Sequence, residues 1–422
     1  MNILLVSTYD KGGAAKACMR LHEGLLRQGI SAWLLILFSK NEYPENRNIR
    51  IFSKEFPYVY KNPGVLKRIA IKAGMGKATE KVRREIETHT PATLEAFSEP
   101  YSSYDFTQHP WYKEANIIHL HWSAGFLDYS FFHKNHKPII WTLHDMNPFT
   151  GGCHYSDHCN KFIESCSYCH YLKKTSDPAY TNKLHNYKSK YLKQSSPLHI
   201  VPLSNWMADC AKKSSLFGAY KQTIIPNGIN SNIFKPYPKQ EARKELGIPP
   251  DKKVLVFVAE RIDNKRKGNK YIMEVSEGLV GSSNVIICGV GKPSDSSARA
   301  NLISLGEIQN EETLAKIYSA ADALLIPSIE DNLPNTALEA ILCGTPLIAF
   351  PVGGLPDIIS HGNNGLICSN ISSQSLIECI NAFLQNGISL SSGSIRENAV
   401  AKYDLPVSAK RYVSLYQSML SK

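Results

Sequence analysis

Short apolar runs that each break into a polar or glycine-bearing loop and then into helical periodicity recur along this chain, in two series. The first opens at residues 3–6, turns through Lys11-Gly12-Gly13-Ala14-Ala15, and continues with Cys18, Leu21, Leu25 and Leu26 at helical spacing. After Gly29 an apolar run returns at 32–37. Strand, glycine turn, helix, strand is the repeat of a parallel sheet, because parallel neighbours need a long crossover and a helix supplies it. The rhythm returns at 116–121, 138–143 and 198–203. A turn-rich stretch with Pro236, Pro238, Pro249 and Pro250 follows, and a second series starts at 253–258 and continues at 284–289, 323–327 and 346–350. Both series predict doubly wound α/β domains. The length of 422 residues suits two of them, at roughly 100–200 residues each. The expected boundary falls near 216–235, giving domains at 1–215 and 216–402. Ala409, Tyr412, Val413, Tyr416, Met419 and Leu420 mark a last amphipathic helix within 403–422.

Composition narrows the class. At 43% hydrophobic and 20% charged the chain is far from a disordered polymer. No stretch reaches the ~18 apolar residues of a membrane span, and the start lacks the positive n-region of a secretory signal, so a cytoplasmic protein is expected. Forty-eight Lys and Arg against 37 Asp and Glu leave a net +11, which favours an anionic partner: a phosphorylated small molecule, an acidic membrane surface or nucleic acid. A solvated basic surface is the plain alternative. Residues 61–87 carry eight Lys/Arg against three Glu, readable as a basic amphipathic helix on an anionic membrane or as an ordinary surface helix.

In doubly wound folds ligands bind beyond the carboxyl ends of the strands, so the loops there carry the chemistry. Gly12 and Gly13 follow the first strand and open a helix, where bare amides suit a phosphate or, equally, a tight turn. After 253–258 the chain reads Arg261-Ile262-Asp263-Asn264-Lys265-Arg266-Lys267-Gly268, a basic loop matched to a diphosphate, or else merely solvated. The segment 327–346 is the most informative. A strand ends at Pro327, an acidic loop follows, Pro334 suits a first helical turn, and Gly344 suits the residue after a helix end. Glu339 then lies inside a short apolar helix. Buried Glu is rare unless paired or binding something, so a ligand hydroxyl is a sensible partner.

Taken in order, Gly12-Gly13, Pro226-Asn227-Gly228, Arg261 to Gly268, Pro327 to Glu339, and Gly353-Gly354-Leu355-Pro356 resemble the retaining GT-B glycosyltransferases of family 4, over nearly the whole chain. The resemblance implies two Rossmann-like domains facing across a cleft, with the acceptor on the N-terminal one. A nucleotide diphosphate sugar is held mainly by the C-terminal one, and the last helix crosses back. It implies that Arg261 and Lys267 meet the donor diphosphate together with Gly12 and Gly13. Asn332, Leu333, Pro334 and Asn335 line the nucleotide sugar, and Glu339, the second acid of an E-x7-E motif, binds a ribose hydroxyl. Asp331 takes the place of the first acid, one methylene shorter, as a catalytic-site carboxylate. The Arg261-to-Lys267 interval is about one residue longer than the family's usual one, which leaves Arg266 as a rival to Arg261. His144, after the run at 138–143, matches the family's His beside the donor sugar, whereas His119 and His121 read equally well as structural. No catalytic metal is expected, since no D-x-D motif lies at a strand end near the presumed diphosphate. The favoured account of retention in the family is front-face displacement.

Beyond His144-Asp145 come Cys153, Cys159, Cys166 and Cys169, spaced C-x5-C-x6-C-x2-C with His154, His158 and His170 alongside. Such a cluster in a cytosolic chain reads first as a structural zinc site. Unliganded thiols, and disulfides or a redox role, are the alternatives. The insert at 153–169 resembles that of family 4 enzymes of colanic-acid, exopolysaccharide and O-antigen clusters, which implies transfer of a hexosyl unit to a lipid-linked or oligosaccharide acceptor in surface-glycan synthesis. A nucleotide-sugar epimerase of the same architecture is the second reading. A zinc-bearing nucleic-acid binder leaves the segment from Asp331 to Glu339 unexplained and lacks any matching nucleic-acid signature, so no nucleic-acid partner is expected.

Overall fold

The computed structural model describes residues 1–56, 97–172, 177–193, 197–261, 264–278, 284–292 and 302–421; the basic segment 61–87 lies outside the described residues. The chain divides into two compact units, one formed by Met1–Ile225 with Arg411–Lys422 and the other by Pro226–Lys410. Residues 216–225 thus fall with the first unit and 403–410 with the second.

The first unit holds a parallel sheet of seven strands: β1 (Asn2–Tyr9), β2 (Ser31–Phe38), β3 (Ile49–Ile51), β4 (Ile117–Leu120), β5 (Ile139–Leu143), β6 (Leu198–Pro202) and β7 (Lys221–Gln222). Their order is β3-β2-β1-β4-β5-β6-β7. Ile3, Leu4, Leu5 and Val6 are all fully buried, which is why the strand reads as a continuous apolar run: a parallel strand covered on both faces has no polar side. The helix Gly13–Arg27 buries Ala17, Cys18, Leu21 and Leu25 on one face.

The second unit repeats the design with six strands: β8 (Lys253–Arg261), β9 (Val285–Lys292), β10 (Leu302–Gly306), β11 (Ala323–Ile326), β12 (Leu347–Ala349) and β13 (Gly365–Ile367). Their order is β10-β9-β8-β11-β12-β13, again parallel. The order reverses between β1 and β4 in one unit and between β8 and β11 in the other, and such switch points open a crevice at the strands' carboxyl ends. The helix Leu405–Leu420 begins in the second unit and supplies Arg411 onward to the first.

The four strands that the hydrophobic runs do not announce, β3, β7, β10 and β13, are the four sheet edges. β3, β7 and β13 have two or three residues each. Short edges are how sheets blunt unpaired backbone, and they need little apolar sequence.

Candidate functional site

At the switch point of the second unit, the loop after β8 and the loop after β11 lock together. The Ile329 amide donates to the Arg266 carbonyl at 2.8 Å, and Arg266 Nη1 donates to the Glu330 carbonyl at 2.7 Å. The close approach depends on Gly268: its φ is +82°, and a Cβ there would stand 1.8 Å from the Pro327 carbonyl oxygen. Asp331 is the centre of the assembly, only 5% exposed. Lys267 Nζ lies 2.5 Å from its Oδ2 and Arg266 Nη1 3.7 Å away, while Ser328 Oγ donates to the same oxygen at 3.3 Å. Burial pushes the Asp331 carboxyl up, but Lys267 and Arg266 outweigh it and hold it below the usual carboxylate value. Gly353 backs this loop at φ +54°, where a Cβ would meet the Asp331 carbonyl oxygen at 1.5 Å.

Arg261, by contrast, ends β8 on an exposed stretch, and it is Arg266 that joins Lys267 at Asp331. Asn332, Leu333 and Pro334 continue as a buried loop. Pro334 stands at the N-cap of the helix Asn335–Leu342, one place earlier than a first-turn residue. Asn227 Nδ2 donates to Asn335 Oδ1 at 2.8 Å, which joins the Pro226-Asn227-Gly228 turn to that helix start. Glu339 faces inward, 3% exposed, and its Oε2 accepts from the Tyr318 hydroxyl at 3.1 Å. The result is a buried carboxylate with two cations, beside a second buried carboxylate on a helix. The cations suit an anion, and Glu339 suits a hydroxyl donor.

In the first unit, Gly12 caps the helix Gly13–Arg27 with φ 90° and ψ 170°. Nothing lies within 4 Å of where its Cβ would be, so the backbone is open to close approach. At the ends of β4 and β5 three histidines form a chain. His121 Nδ1 and His144 Nε2 share a hydrogen bond at 3.0 Å, and His121 Nε2 is buried with no hydrogen-bond partner among the described residues. His119 is fully buried between the Tyr416 hydroxyl at 2.7 Å and Thr142 Oγ1 at 2.8 Å, and Thr142 in turn meets the Tyr412 hydroxyl at 2.8 Å. Burial lowers His144 to about 4 and His119 to about 3, so both are neutral at pH 7. His119 is therefore structural, whereas His121, read from the sequence as structural just as well, hydrogen-bonds His144. Alternation along β4 puts both on one face, but only the packing of β4 on β5 brings His121 to His144.

Asp145, next to His144, anchors the loop. Its Oδ2 accepts from Trp122 Nε1 at 2.7 Å and pairs with His154 Nδ1 at 2.6 Å, and its Oδ1 accepts from the Asn147 amide at 2.9 Å. Buried Lys188 donates to the Asn147 carbonyl. Cys153, Cys159, Cys166 and Cys169 are all free thiols, and they line one cavity of ≈ 20 Å³ with His170. Among the described residues no three His, Cys, Asp or Glu side chains already form a group ready to hold a metal ion. No helix among the described residues is long and apolar enough to cross a membrane.

Solved structures with this architecture are known. Sucrose-phosphate synthase from Thermosynechococcus elongatus superposes with a TM-score of 0.67 at 17% identity, covering 100% of this chain and 99% of that one. Anabaena Alr3699/HepE, solved in complex with UDP, gives 0.65 at 16% identity, covering 99% and 100%. With its two Rossmann-like parallel-sheet units, the chain has the GT-B fold. Residues 238–401, most of the second unit, match the family described as glycosyl transferases group 1. A D-inositol 3-phosphate glycosyltransferase of Thermobispora bispora is 29% identical over 221 residues, 47% of this chain and 51% of that one. The putative teichuronic acid biosynthesis glycosyltransferase TuaC of Bacillus subtilis is 26% identical over 224 residues, 52% and 56% of the two chains. The chain thus spans about half the length of these curated relatives.

Proposed function

We propose that the protein is a retaining hexosyltransferase, moving a sugar from a nucleotide diphosphate donor to a lipid-linked or oligosaccharide acceptor in bacterial surface-polysaccharide synthesis. The observation that carries the reading is the Lys267, Arg266 and Asp331 cluster at the switch point of the unit that matches group 1 glycosyl transferases, with Glu339 on the adjoining helix. Lys267 and Arg266 offer the donor diphosphate two cations on a short loop. Glu339, buried and already accepting one hydroxyl, accepts a second from the ribose. Asp331 faces the donor sugar, where charge develops as the bond to the diphosphate breaks. In the first unit His144, neutral at pH 7, offers a hydrogen bond to a sugar hydroxyl. Catalysis then rests on orientation and charge stabilisation: the acceptor hydroxyl attacks the anomeric carbon on the face the diphosphate leaves, and its proton goes to the departing phosphate oxygen. UDP bound to a protein of the same fold and the teichuronic acid role in the name of one relative support the donor class and the surface-glycan context.

The decisive experiment has two arms. A thermal-shift screen against nucleotides and nucleotide sugars is expected to single out one nucleoside diphosphate series. Radiolabelled sugar from that donor is then expected to pass to a bacterial lipid extract. Label that stays on the nucleotide in altered stereochemistry marks an epimerase and refutes the transfer; stabilisation by no nucleotide refutes the donor site itself.

A further inference from the structure

We propose that Cys153, Cys159, Cys166 and Cys169 bind one zinc ion that holds the insert in shape against the loop carrying His144. Four sulfurs on the wall of one cavity are the first observation. The cavity, ≈ 20 Å³, has room for one water-sized body, and thiolates in this number are the ligand set of a closed, structural zinc site. One sulfur already takes a backbone donor: the Gly151 amide donates to Cys166 Sγ at 3.1 Å. Backbone donors of this kind orient metal-bound thiolates.

The backbone supplies a second argument. Among the described residues only five non-glycine residues have positive φ, and four of them, Asp157, His158, Cys166 and Tyr168, lie in the insert. Each such residue costs about 1 kcal/mol or more and persists only where the surroundings enforce it. Hydrogen bonds from outside hold part of the insert: Thr181 Oγ1 donates to the Cys166 carbonyl at 2.6 Å, Asn182 Nδ2 to the Ser165 carbonyl at 2.9 Å and Ser215 Oγ to the Glu164 carbonyl at 2.7 Å. The insert's regular structure is the single 3-10 turn Lys161–Ile163, with another, His170–Leu172, just after it, and its buried apolar side chains are Phe162 and Cys166. A metal cross-link joins the stretches on either side of these contacts, from Cys153 to Cys169. Loading releases one proton per thiol and draws the four sulfurs from the cavity wall onto one ion, so the insert tightens when metal binds.

The insert is tied to the proposed site by the Met146 amide donating to the His154 carbonyl at 2.9 Å and by His154 on Asp145. Metal loading therefore acts on the His144 loop through position, with no part in the chemistry.

Elemental analysis of the full chain, purified under reducing conditions, tests the proposal, with one zinc per chain expected. Titrating the wild-type protein with a thiol-reactive mercurial should release that zinc in step with four modified thiols, which needs no variant to fold. Cobalt in its place should show the charge-transfer absorption of thiolate ligation. Cys166→Ser with Cys169→Ser should lose the metal, and His170→Ala should keep it. Absence of metal, iron instead of zinc, two disulfides by mass spectrometry of the native protein, or metal loss in His170→Ala each overturns the four-thiolate zinc assignment.

Discussion

Lys267 and Asp331 form a pair whose coupling can be calculated and measured. At an effective dielectric of about 20, opposite charges 2.5 Å apart attract by about 7 kcal/mol, and the 3.7 Å contact from Arg266 adds about 4 kcal/mol. Most of this is cancelled by desolvation of Asp331, and the Lys267 side chain is 24% exposed, so water screens it in part. The net coupling expected is about 2 kcal/mol. Lys267→Met leaves a buried carboxylate with only Arg266 and Ser328, and Asp331→Asn leaves two cations facing an amide. Each single variant should lose about 2 kcal/mol, and the double variant should lose about 2 kcal/mol less than the sum of the two. Urea denaturation of the four proteins at pH 7 measures this, with the m-value checked for constancy. Strict additivity, within about 0.5 kcal/mol, refutes the pair as the organiser of these loops. Nucleoside diphosphate affinity, read on the same four proteins, separates the two roles: Lys267→Met should weaken it at least tenfold even where the fold is retained.

Acid should destabilise the protein early. Burial lowers His22, His119, His121, His144 and His185, so the unfolded chain takes up protons near pH 6.5 that the native chain refuses. Stability then rises with pH across the window from about 3 to 6.5 and falls as pH drops through it. Asp145, Asp322 and Asp331, held low in the native state, extend the loss below pH 3.8. Thermal melts between pH 7 and 5 should show the decline, and a flat profile contradicts the neutral buried histidines. Glu339→Gln keeps an acceptor for the Tyr318 hydroxyl, so the melting temperature should hold while nucleotide-sugar affinity falls 10- to 100-fold by calorimetry; unchanged affinity removes Glu339 from the donor site. Gly268→Ala should cost about 2–4 kcal/mol, since both the positive φ and the Pro327 carbonyl oppose a Cβ. An unaltered melting temperature would show that the β8 loop is not seated on the β11 loop.

The central strands were legible because burial on both faces writes itself into a few consecutive residues: 3–6, 32–37 and 253–258 announce β1, β2 and β8 without reference to anything distant. The same local code passed over the edge strands, whose half-covered backbone asks little of the side chains. Glu339 was legible for a related reason, as a charge inside an apolar helical period that leaves it no solvent-facing side. The spacing of the cysteines was equally plain, although spacing alone left zinc, disulfides and free thiols open.

Tertiary structure decided what depended on strand order. Arg266, rather than Arg261, joins Lys267 on Asp331, which lies 64 residues beyond Lys267, because β8 and β11 are neighbours in the sheet. His121 meets His144 across 23 residues because β4 lies beside β5, and His119 becomes structural because Tyr416 of the last helix reaches it from 297 residues away. Hydrophobic periodicity is a property of neighbours along the chain, so one sequence suffices to read it. Ion pairs and shared protons are properties of neighbours in space, and only the order of the strands brings those residues within reach.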